Sequence, residues 1–391
     1  MTVNLELGEQ TREARAAPPG RRVIPVAAPV FAGREKEYVA DCMESGWISS
    51  AGKYVDQFEE RFAEFCGVRH AIACCNGTVA LHLALVALGV GAGDEVIVPT
   101  LTFVATANAV TYCGARPVFV DSEAETWNID PMLVEALITP RTKGIIAVHL
   151  YGQPADMDAL REIAVRHDLF LVEDAAEAHG ATYKGRPAGS LGDVAAFSFY
   201  GNKIIATGEG GMVVTDDDAL AARARQLRGQ GVDPKRRYWF PVVGYNYRMM
   251  NIPAAIGLAQ LEKIDWHLGR RLEVAARYRE RLAGVPFVAW QSEQPWATHV
   301  HWMFTVILGE GARRGADEVM SLLHGAGVET RPVFYPIHSL PPYRDAAGDG
   351  GEYPVASRLA RRGVSLPTWA GLSNDDVDYV CDQLIAVLSD S

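Results

Sequence analysis

The residues DVAAFSFYGNKIIATGEGGMVVT, at positions 193–215, are the stretch around which the rest of the chain is organised. Two apolar runs, 194–199 and 211–215, are typical of buried strands, and a glycine-rich turn with one lysine, Lys203, lies between them. A lone lysine is normally a solvated surface charge. A lysine held among tight turns at the end of a buried strand can instead act as a Schiff-base nucleophile, because partial desolvation lowers the pKa of its ammonium group. The stretch by itself leaves both interpretations open.

Upstream of this stretch, short apolar runs alternate with helical patterns. The apolar runs are 71–75, 95–98, 117–120, 144–149 and 169–173, and the helical stretches are 78–88, 103–112, 131–138 and 157–167. This alternation predicts a largely parallel sheet covered by helices on both faces. Ligands bind such sheets beyond the C-terminal ends of the strands. Chemistry is therefore expected in five loops that each follow a strand: CNGTVA, PTLTFVA, HLYGQPADM, VEDAAEAHG and SFYGNK.

The remaining segments predict the division into domains. Helical spacing at 33–45 and 54–66 precedes the first strand, a helix at 218–228 follows the last one, and a long helical segment covers 251–282. Beyond it, a strand-like HWMFTVIL and helices at 316–325 and 375–388 predict a smaller α/β domain. We therefore predict a flexible N-terminal extension at 1–22, a large domain at 23–265 and a small domain at 266–391.

The composition excludes several classes of protein. With 49% hydrophobic and 22% charged residues among 391, the chain is typical of a globular protein, and its net charge of −11 disfavours nucleic acid or an anionic membrane as a partner. The six cysteines show no zinc spacing, which favours reduced thiols in a cytoplasmic protein and no metal site. No apolar run is long enough to span a membrane, and the polar residues 1–22 lack the apolar centre of a signal peptide.

Three further strand ends carry residues that suit a phosphate-bearing pyridine cofactor. The tripeptide NGT at 76–78 opens a helix, so it can bind phosphate through backbone N–H groups, although a plain helix cap has the same pattern. Asp174 follows an apolar run and could pair with a pyridine nitrogen or cap a helix. Phe103 could stack on an aromatic ring or pack in the core. With Lys203, these parts match one cofactor, pyridoxal 5′-phosphate (PLP).

The loop GWISSAGK, between the first two helical stretches, has no single interpretation. Trp47, paired serines that include Ser49, and a lysine suit a loop that faces a ligand, and a structural role fits equally well. A Walker lysine motif and a G-x-G-x-x-G after the first strand are both absent from the sequence, which disfavours nucleoside triphosphates and dinucleotides as ligands.

These motifs together resemble the DegT/DnrJ/EryC1/StrS family of PLP-dependent sugar aminotransferases. The resemblance runs from about Ile24 to the C-terminal helix. The motifs that carry it are GWISSAGKYVDQFE, NGTVALHLAL, GDEVIVPTLTFVATANAV, PVFVDSEAETWNIDP, VEDAAEAHGA, SFYGNKIIATGEGGMVVTDD and GYNYRMMNIPAAIGLAQLEKID. It implies the type I (aspartate aminotransferase-like) fold of PLP-dependent transferases, with a large domain around a mostly parallel sheet and a smaller C-terminal α/β domain.

The resemblance also implies roles for individual residues. Lys203 is similar to the lysine that holds the cofactor as a Schiff base and then moves protons between cofactor and sugar carbons. Asp174 is similar to the partner of the pyridine nitrogen, Glu177 to a neighbour of the ring's phenolic oxygen, and Phe103 to the stacking aromatic residue. The implied phosphate ligands are Gly77, Thr78 and Ser198.

Other implied roles concern the partner subunit and the substrate. Asn246, in GYNYRM, resembles an asparagine that reaches the phosphate in the neighbouring subunit, which implies a homodimer with shared active sites. The segment TRPVFYPIH resembles one that lines the nucleotide-sugar site, with Arg331, Tyr335 and His338. The chain departs from the family's usual pattern at Cys75, where serine is common, and at Met250, where threonine or serine is common.

The resemblance implies transfer of the amino group of L-glutamate to a keto-sugar on a nucleoside diphosphate. The favoured acceptor is C4 of GDP-4-keto-6-deoxymannose. Two half-reactions, through the pyridoxamine form of the cofactor, predict ping-pong kinetics. One alternative is a dTDP- or UDP-linked 3- or 4-keto-sugar, or an aminocyclitol precursor of an antibiotic. Another is a non-catalytic sugar-sensing protein on the same fold. Lys203 disfavours the family's dehydratases, which carry histidine at that position.

Overall fold

A seven-stranded sheet forms the centre of the large domain. The computed structural model describes residues 22–344 and 352–389, so the predicted extension at 1–22 lies almost wholly outside the described residues. The strands up to residue 215 are β1 (His70–Cys74), β2 (Glu95–Pro99), β3 (Arg116–Val120), β4 (Thr142–Val148), β5 (Phe170–Asp174), β6 (Thr182–Tyr183), β7 (Arg186–Pro187), β8 (Val194–Ser198) and β9 (Gly211–Thr215). The predicted strands are confirmed, with ends that differ by a few residues at most.

The large sheet has the order β1-β9-β8-β5-β4-β2-β3. β2, β3, β4, β5 and β8 pair in parallel, and β9 runs antiparallel to both of its neighbours. The sheet is therefore mostly parallel, as predicted. Gly211, the first residue of β9, is paired with Cys74 on one side and with Ser198 on the other. The C-terminal ends of β1, β5 and β8 consequently lie along one edge, where the predicted loops meet.

Helices cover both faces of this sheet. They are α1 (Glu35–Ser45), α2 (Lys53–Cys66), α3 (Gly77–Ala87), α4 (Ala105–Tyr112), α5 (Pro131–Val134), α6 (Met157–Arg166), α7 (Asp218–Arg228), α8 (Asn251–Leu261) and α9 (Ile264–Leu282). α2 shows why the amphipathic pattern folds in this way: Phe58 and Phe62 are fully buried against β8 residues such as Phe197, and Gly67 ends the helix in a left-handed conformation.

The second sheet belongs to the C-terminal part of the chain. Its part of the fold comprises β10 (Val288–Trp290), β11 (Ala297–Thr298), β12 (Phe304–Leu308), α10 (Ala316–Gly325), β13 (Arg331–Pro332), α11 (Pro354–Arg362), β14 (Gly363–Leu366) and α12 (Asn374–Ser389). The strand order in this second sheet is β10-β12-β14-β13. β11 lies outside it and pairs with β6. Ile24 packs in the core of this part together with the second half of α9. The domain boundary at 265/266 stays a prediction.

The predicted helix 251–282 is wrong as a single element. α8 ends at Leu261, α9 begins at Ile264, and Lys263 between them has ψ 14°, outside the helical range. Leu261 and Ile264 are both buried, so apolar spacing continues across the break, which explains why periodicity missed it. The break allows α8 to pack on α1 and α2, while α9 packs on α12 and its Tyr278 stacks on Phe304 of the smaller sheet.

Other differences are small. The predicted helix 131–138 is the short α5 followed by a 3₁₀ turn at Glu135–Leu137. Phe103 lies before α4, which begins at Ala105, and not in the helix. None of the helices in residues 22–344 and 352–389 combines the length and apolar character needed to cross a bilayer.

Candidate active site

Lys203 lies on the turn after β8, at the edge where the strands end. Its backbone N–H donates to the carbonyl oxygen of Tyr200 (2.8 Å), and its Nζ lies 3.6 Å from Glu177 Oε1 and 3.8 Å from the ring centroid of Trp302. Burial lowers the pKa of Lys203, although Glu177 and Asp174 oppose that effect. The amine is therefore more easily deprotonated than a surface lysine, which is what a nucleophile requires.

Asp174 is the last residue of β5, the strand next to β8. Its carboxylate accepts hydrogen bonds from Thr106 Oγ1 (2.7 Å) and from the backbone N–H of Ala176 (3.3 Å). Burial raises the pKa of Asp174, and the bond from Thr106 and the charge of Lys203 offset part of that rise. A desolvated carboxylate of this kind is stabilised by a positively charged partner.

Glu177 lies three residues further, between Lys203 and Tyr151. Its Oε2 accepts a hydrogen bond from the backbone N–H of Tyr151 (2.8 Å). Burial raises the pKa of Glu177 to about 7, although Lys203 lowers it. Burial thus moves the pKa values of Glu177 and Lys203 toward each other, which makes it easier for a proton to pass between the two groups.

The N-terminus of α3 forms the other end of the site. Asn76 caps the helix, since its side-chain oxygen accepts from the N–H of Val79 (3.0 Å), so the cap interpretation is confirmed. Gly77 packs so closely on β8 that a Cβ there would lie 2.6 Å from Ser198 Cβ. Thr78 is half-buried in the first turn. We call Gly77, Thr78 and Ser198 the candidate phosphate site. The close packing there requires glycine, and the first turn of α3 offers backbone N–H groups that have no partner within the helix.

Phe103 is exposed at the same edge. More than half of its side chain is accessible, and its ring lies 5.8 Å from that of Phe334. The alternative of core packing is therefore wrong. An exposed ring that follows β2 is available to stack on a planar ligand, and its role as the stacking residue stays a prediction.

The GWISSAGK loop is fixed through its backbone. The carbonyl oxygens of Trp47 and Ser49 accept hydrogen bonds from Asn251, at 2.6 Å from Nδ2 and 2.7 Å from the backbone N–H. Both side chains are exposed, Trp47 by 58%. The loop therefore has a structural role through its main chain and keeps its side chains open to a ligand.

The three residues of TRPVFYPIH have different environments. Arg331 begins β13 at the protein surface, and it is close enough to Lys203 for its charge to contribute to the lowered pKa of the amine. Tyr335 is 63% exposed. The Nδ1 of His338 lies 2.7 Å from Thr100 Oγ1, and its ring stacks on Tyr353 at 4.2 Å. His338 thus has protein partners on two sides, and its contact with substrate stays a prediction.

Asn246 lies on an extended segment beside β1. Its neighbours Tyr245 and Tyr247 pack their rings on His82 of α3, whereas Asn246 is exposed. Because side chains alternate along an extended segment, Asn246 points away from its own core. This is compatible with a reach into a second subunit.

Three contributing residues were missed by the sequence interpretation: Thr106, Tyr151 and Trp302. Thr106 bonds Asp174, the N–H of Tyr151 bonds Glu177, and the Trp302 ring covers Lys203. Thr106 lies three residues after Phe103, and this spacing could have predicted that Thr106 lies near the site. The other two approach Lys203 from distant parts of the chain, and no local pattern marks them.

The fold and this site define a type I transferase of the PLP-dependent class. A mostly parallel sheet carries the buried lysine, the strand-end carboxylate and the glycine cradle along one edge. Residues 30–385 match the model of the DegT/DnrJ/EryC1/StrS aminotransferase family, and the chain belongs to that family. It is therefore an aminotransferase, as the sequence predicted.

Several known proteins are similar over nearly the whole chain. GDP-perosamine synthase of Caulobacter vibrioides is 56% identical, with 93% of this chain and 98% of that protein covered. The protein of the same name from Escherichia coli O157:H7 is 47% identical, with 94% and 100% covered. The crystal structure of DesV from S. venezuelae with a ketimine intermediate is 41% identical, with a TM-score of 0.86 over 91% of this chain and 94% of that one. A Streptococcus pneumoniae protein described as a sugar aminotransferase, solved in its PMP form, is 29% identical, with a TM-score of 0.89 over 94% and 98%.

Proposed function

We propose that this chain uses PLP to transfer the amino group of L-glutamate to C4 of GDP-4-keto-6-deoxymannose, yielding GDP-perosamine. The observation that carries the reaction type is the buried amine of Lys203, 3.6 Å from Glu177 at the edge where Asp174 also lies. The nucleotide and sugar are inferred from the relatives named GDP-perosamine synthase, at 56% and 47% identity.

The residues at the strand ends fit PLP. Asp174 is a buried carboxylate of the kind that pairs with a protonated pyridine nitrogen, and Glu177 is the proposed neighbour of the phenolic oxygen. The candidate phosphate site would hold the phosphate, because glycine at position 77 lets the start of α3 lie directly against Ser198. Phe103 would stack on the ring. When bound, PLP supplies an electron sink for a negative charge on the adjacent carbon.

Lys203 is the proposed catalytic residue. Its lowered pKa allows the neutral amine to accept a proton from a carbon of the amino donor in one half-reaction, and the amine would deliver a proton to the sugar carbon in the other. Glu177, with a pKa of about 7, can exchange a proton with Lys203 Nζ at neutral pH. The amino group is received and delivered in separate half-reactions, so we expect ping-pong kinetics.

The substrate would lie above Lys203. Arg331, whose charge acts on Lys203, would bind the anionic diphosphate, because a guanidinium binds phosphate oxygens with two N–H groups. We also propose contacts from the exposed side chains of Tyr335, Trp47 and Ser49, and from the half-buried His338.

We infer a homodimer with shared active sites. The supporting observations are the exposed Asn246 and a run of exposed apolar side chains close before it, which includes Tyr238, Trp239, Phe240 and Val243. Exposed apolar runs of this kind are typical of subunit interfaces. The six free cysteines support a cytoplasmic location.

The reaction type is tested by the visible absorbance of protein supplied with PLP. We expect a Schiff-base absorbance in the wild type that is lost in Lys203→Ala. Lys184→Ala is the matched control, because Lys184 is an exposed lysine paired with Asp158 and should keep the absorbance. Wild-type protein with no absorbance, or a Lys203→Ala variant that retains it, would contradict the proposed role.

The substrate is tested with a panel of keto-sugars. The pure enzyme is incubated with L-glutamate and the GDP-, dTDP- and UDP-linked 4-keto-6-deoxy sugars, and products are identified by mass. We expect an aminated product from the GDP-linked sugar. A product from the dTDP- or UDP-linked sugar alone would replace the proposed substrate and leave the reaction type in place.

A further inference from the structure

Trp302 contacts Lys203 and is fixed through both its backbone and its side chain. The ring centroid lies 3.8 Å from Lys203 Nζ, and the indole N–H donates to the carbonyl oxygen of Asn202 (2.8 Å). The backbone N–H donates to Tyr151 O (2.9 Å), and the carbonyl oxygen accepts from Arg271 Nη1 (3.0 Å). A buried tryptophan needs one partner for its indole N–H. This indole bond sets the direction of the ring, and the two backbone bonds fix the main chain that carries it.

The backbone beside Trp302 adopts an unfavourable conformation. His301 has φ +47° and Tyr151, its neighbour across the two segments, has φ +57°. Bulky residues rarely adopt this left-handed region, and they keep it only where their surroundings enforce it, commonly at functional sites. Arg271 is one such constraint, because its buried guanidinium also donates to Thr368 O (3.1 Å). The position of the indole therefore requires an unfavourable backbone conformation at His301 and Tyr151.

The Lys203 amine is influenced by several charged groups and contacts the uncharged indole ring of Trp302. Glu177 and Asp174 are the carboxylates that attract the ammonium form, and Arg331 is a positive charge that disfavours it. Burial lowers the pKa of His179 to about 3, and the charge of Lys203 lowers it further. The face of Trp302 is uncharged but carries the negative potential of its ring, which attracts a cation at this distance.

We propose that Trp302 is a positioning residue, which holds the amine of Lys203 beside Glu177 while that amine is not bonded to the cofactor. This inference rests on the proposed function, because a transaminase lysine is free during part of each cycle and must then deliver a proton to a defined atom. The ring face attracts the ammonium form, and the indole N–H fixes the turn that carries Lys203.

Two substitutions separate these contributions. Trp302→Phe keeps a ring face and removes the N–H, whereas Trp302→Leu removes the face and keeps an apolar side chain. Trp296→Leu is the matched control, because Trp296 is half-buried and packs on Tyr183 (4.9 Å). Thermal unfolding identifies the variants that fold, and Trp302→Met replaces the leucine variant if the latter unfolds early.

The experiment measures the pH dependence of Lys203 acylation. The full-length chain is loaded with pyridoxamine 5′-phosphate, which leaves the lysine amine free, and is labelled with trace acetic anhydride at a series of pH values. Mass spectrometry of the Lys203 peptide gives the labelling midpoint. We expect the midpoint to fall by about one pH unit in Trp302→Leu, a tenfold weaker preference for the ammonium form, and to stay near wild type in Trp302→Phe. Trp296→Leu should match wild type.

Two results would overturn the proposal: an unchanged or raised midpoint in Trp302→Leu, or an equal fall in Trp302→Phe. Failure of the wild type to retain pyridoxamine phosphate on gel filtration would count against the proposed function instead. The same labelling, carried out on the chain without cofactor, then still decides whether the indole holds the amine.

Discussion

At the scale of single residues, the site depends on burying charges that water would otherwise stabilise. Lys203 and Glu177 lie 3.6 Å apart, and burial moves their pKa values toward each other, downward for the amine and upward for the carboxyl. In water the pKa values of the two groups lie far apart, so at neutral pH the carboxyl is ionised and the amine is protonated. Desolvation narrows the gap between the two pKa values, which lowers the cost of moving a proton between the groups.

Glu177→Gln should therefore change the pH dependence of stability. The folded chain keeps the Glu177 proton up to about pH 7, whereas the unfolded chain releases it near pH 4.5. The stabilisation from this carboxyl is complete below pH 4.5 and is lost as the pH rises to 7, a change of at most about 3 kcal/mol. Urea unfolding of both proteins at pH 5 and pH 7 measures it. The wild type should lose more stability than the variant over this range, and equal losses would contradict the raised pKa.

At the scale of elements, the active site is an edge where strands from separate parts of the chain end together. Gly211 of β9 pairs with Cys74 of β1 and with Ser198 of β8, which brings the start of α3 against the end of β8. The contact between Gly77 and Ser198 leaves no space for a side chain on the helix. The glycine of NGT is thus required by the packing of two elements and not by helix formation, since Asn76 already provides the cap.

Gly77→Ala should weaken PLP binding by roughly ten- to a hundredfold, since overpacking of this kind costs about 1–3 kcal/mol. The added methyl group would lie 2.6 Å from Ser198 Cβ and would push α3 away from β8. Absorbance titration with PLP measures the affinity. Gly91→Ala is the control, because a Cβ at Gly91 meets nothing within 4 Å. Equal affinities of both variants would show that the candidate phosphate site is placed wrongly.

At the scale of the whole molecule, the site joins the large sheet to the segment that leads into β12. Val300 N–H donates to Gly152 O and Trp302 N–H to Tyr151 O, so this segment lies along the loop after β4. The proposed dimer would add a further contribution through Asn246, which the chain exposes. Catalysis would then require contacts between segments, and between subunits, that no single element contains.

Mixed dimers test the shared site. If Asn246 acts in the partner's site, a dimer of one Lys203→Ala chain and one Asn246→Ala chain carries both lesions in one site and leaves the other intact. We therefore expect activity to reappear when the two inactive proteins are unfolded, mixed and refolded together. Each variant refolded alone is the control. If Asn246 acts in its own subunit, both sites stay defective, and an inactive mixture would contradict the shared site.

Much of this arrangement could be predicted before the structure because it depends on local patterns. Buried strands that alternate with amphipathic helices specify a parallel sheet, and the loop at each strand end follows from that topology. The lysine turn, the NGT cap and Asp174 were predicted in this way, and the structure places all three at one edge. The break between α8 and α9 was missed because neither proline nor glycine stands at the break, and the apolar spacing continues across it.

The sequence by itself determined the class of fold and the positions of Lys203 and Asp174 at strand ends, because burial and turn chemistry are encoded in neighbouring residues. Only the tertiary structure decided what surrounds the lysine. Trp302 is about a hundred residues from Lys203 along the chain, and Tyr151 bonds Glu177 from a left-handed backbone that no sequence pattern marks. Such contacts arise when separate segments pack, and packing, not periodicity, sets the distances and the desolvation on which the chemistry depends.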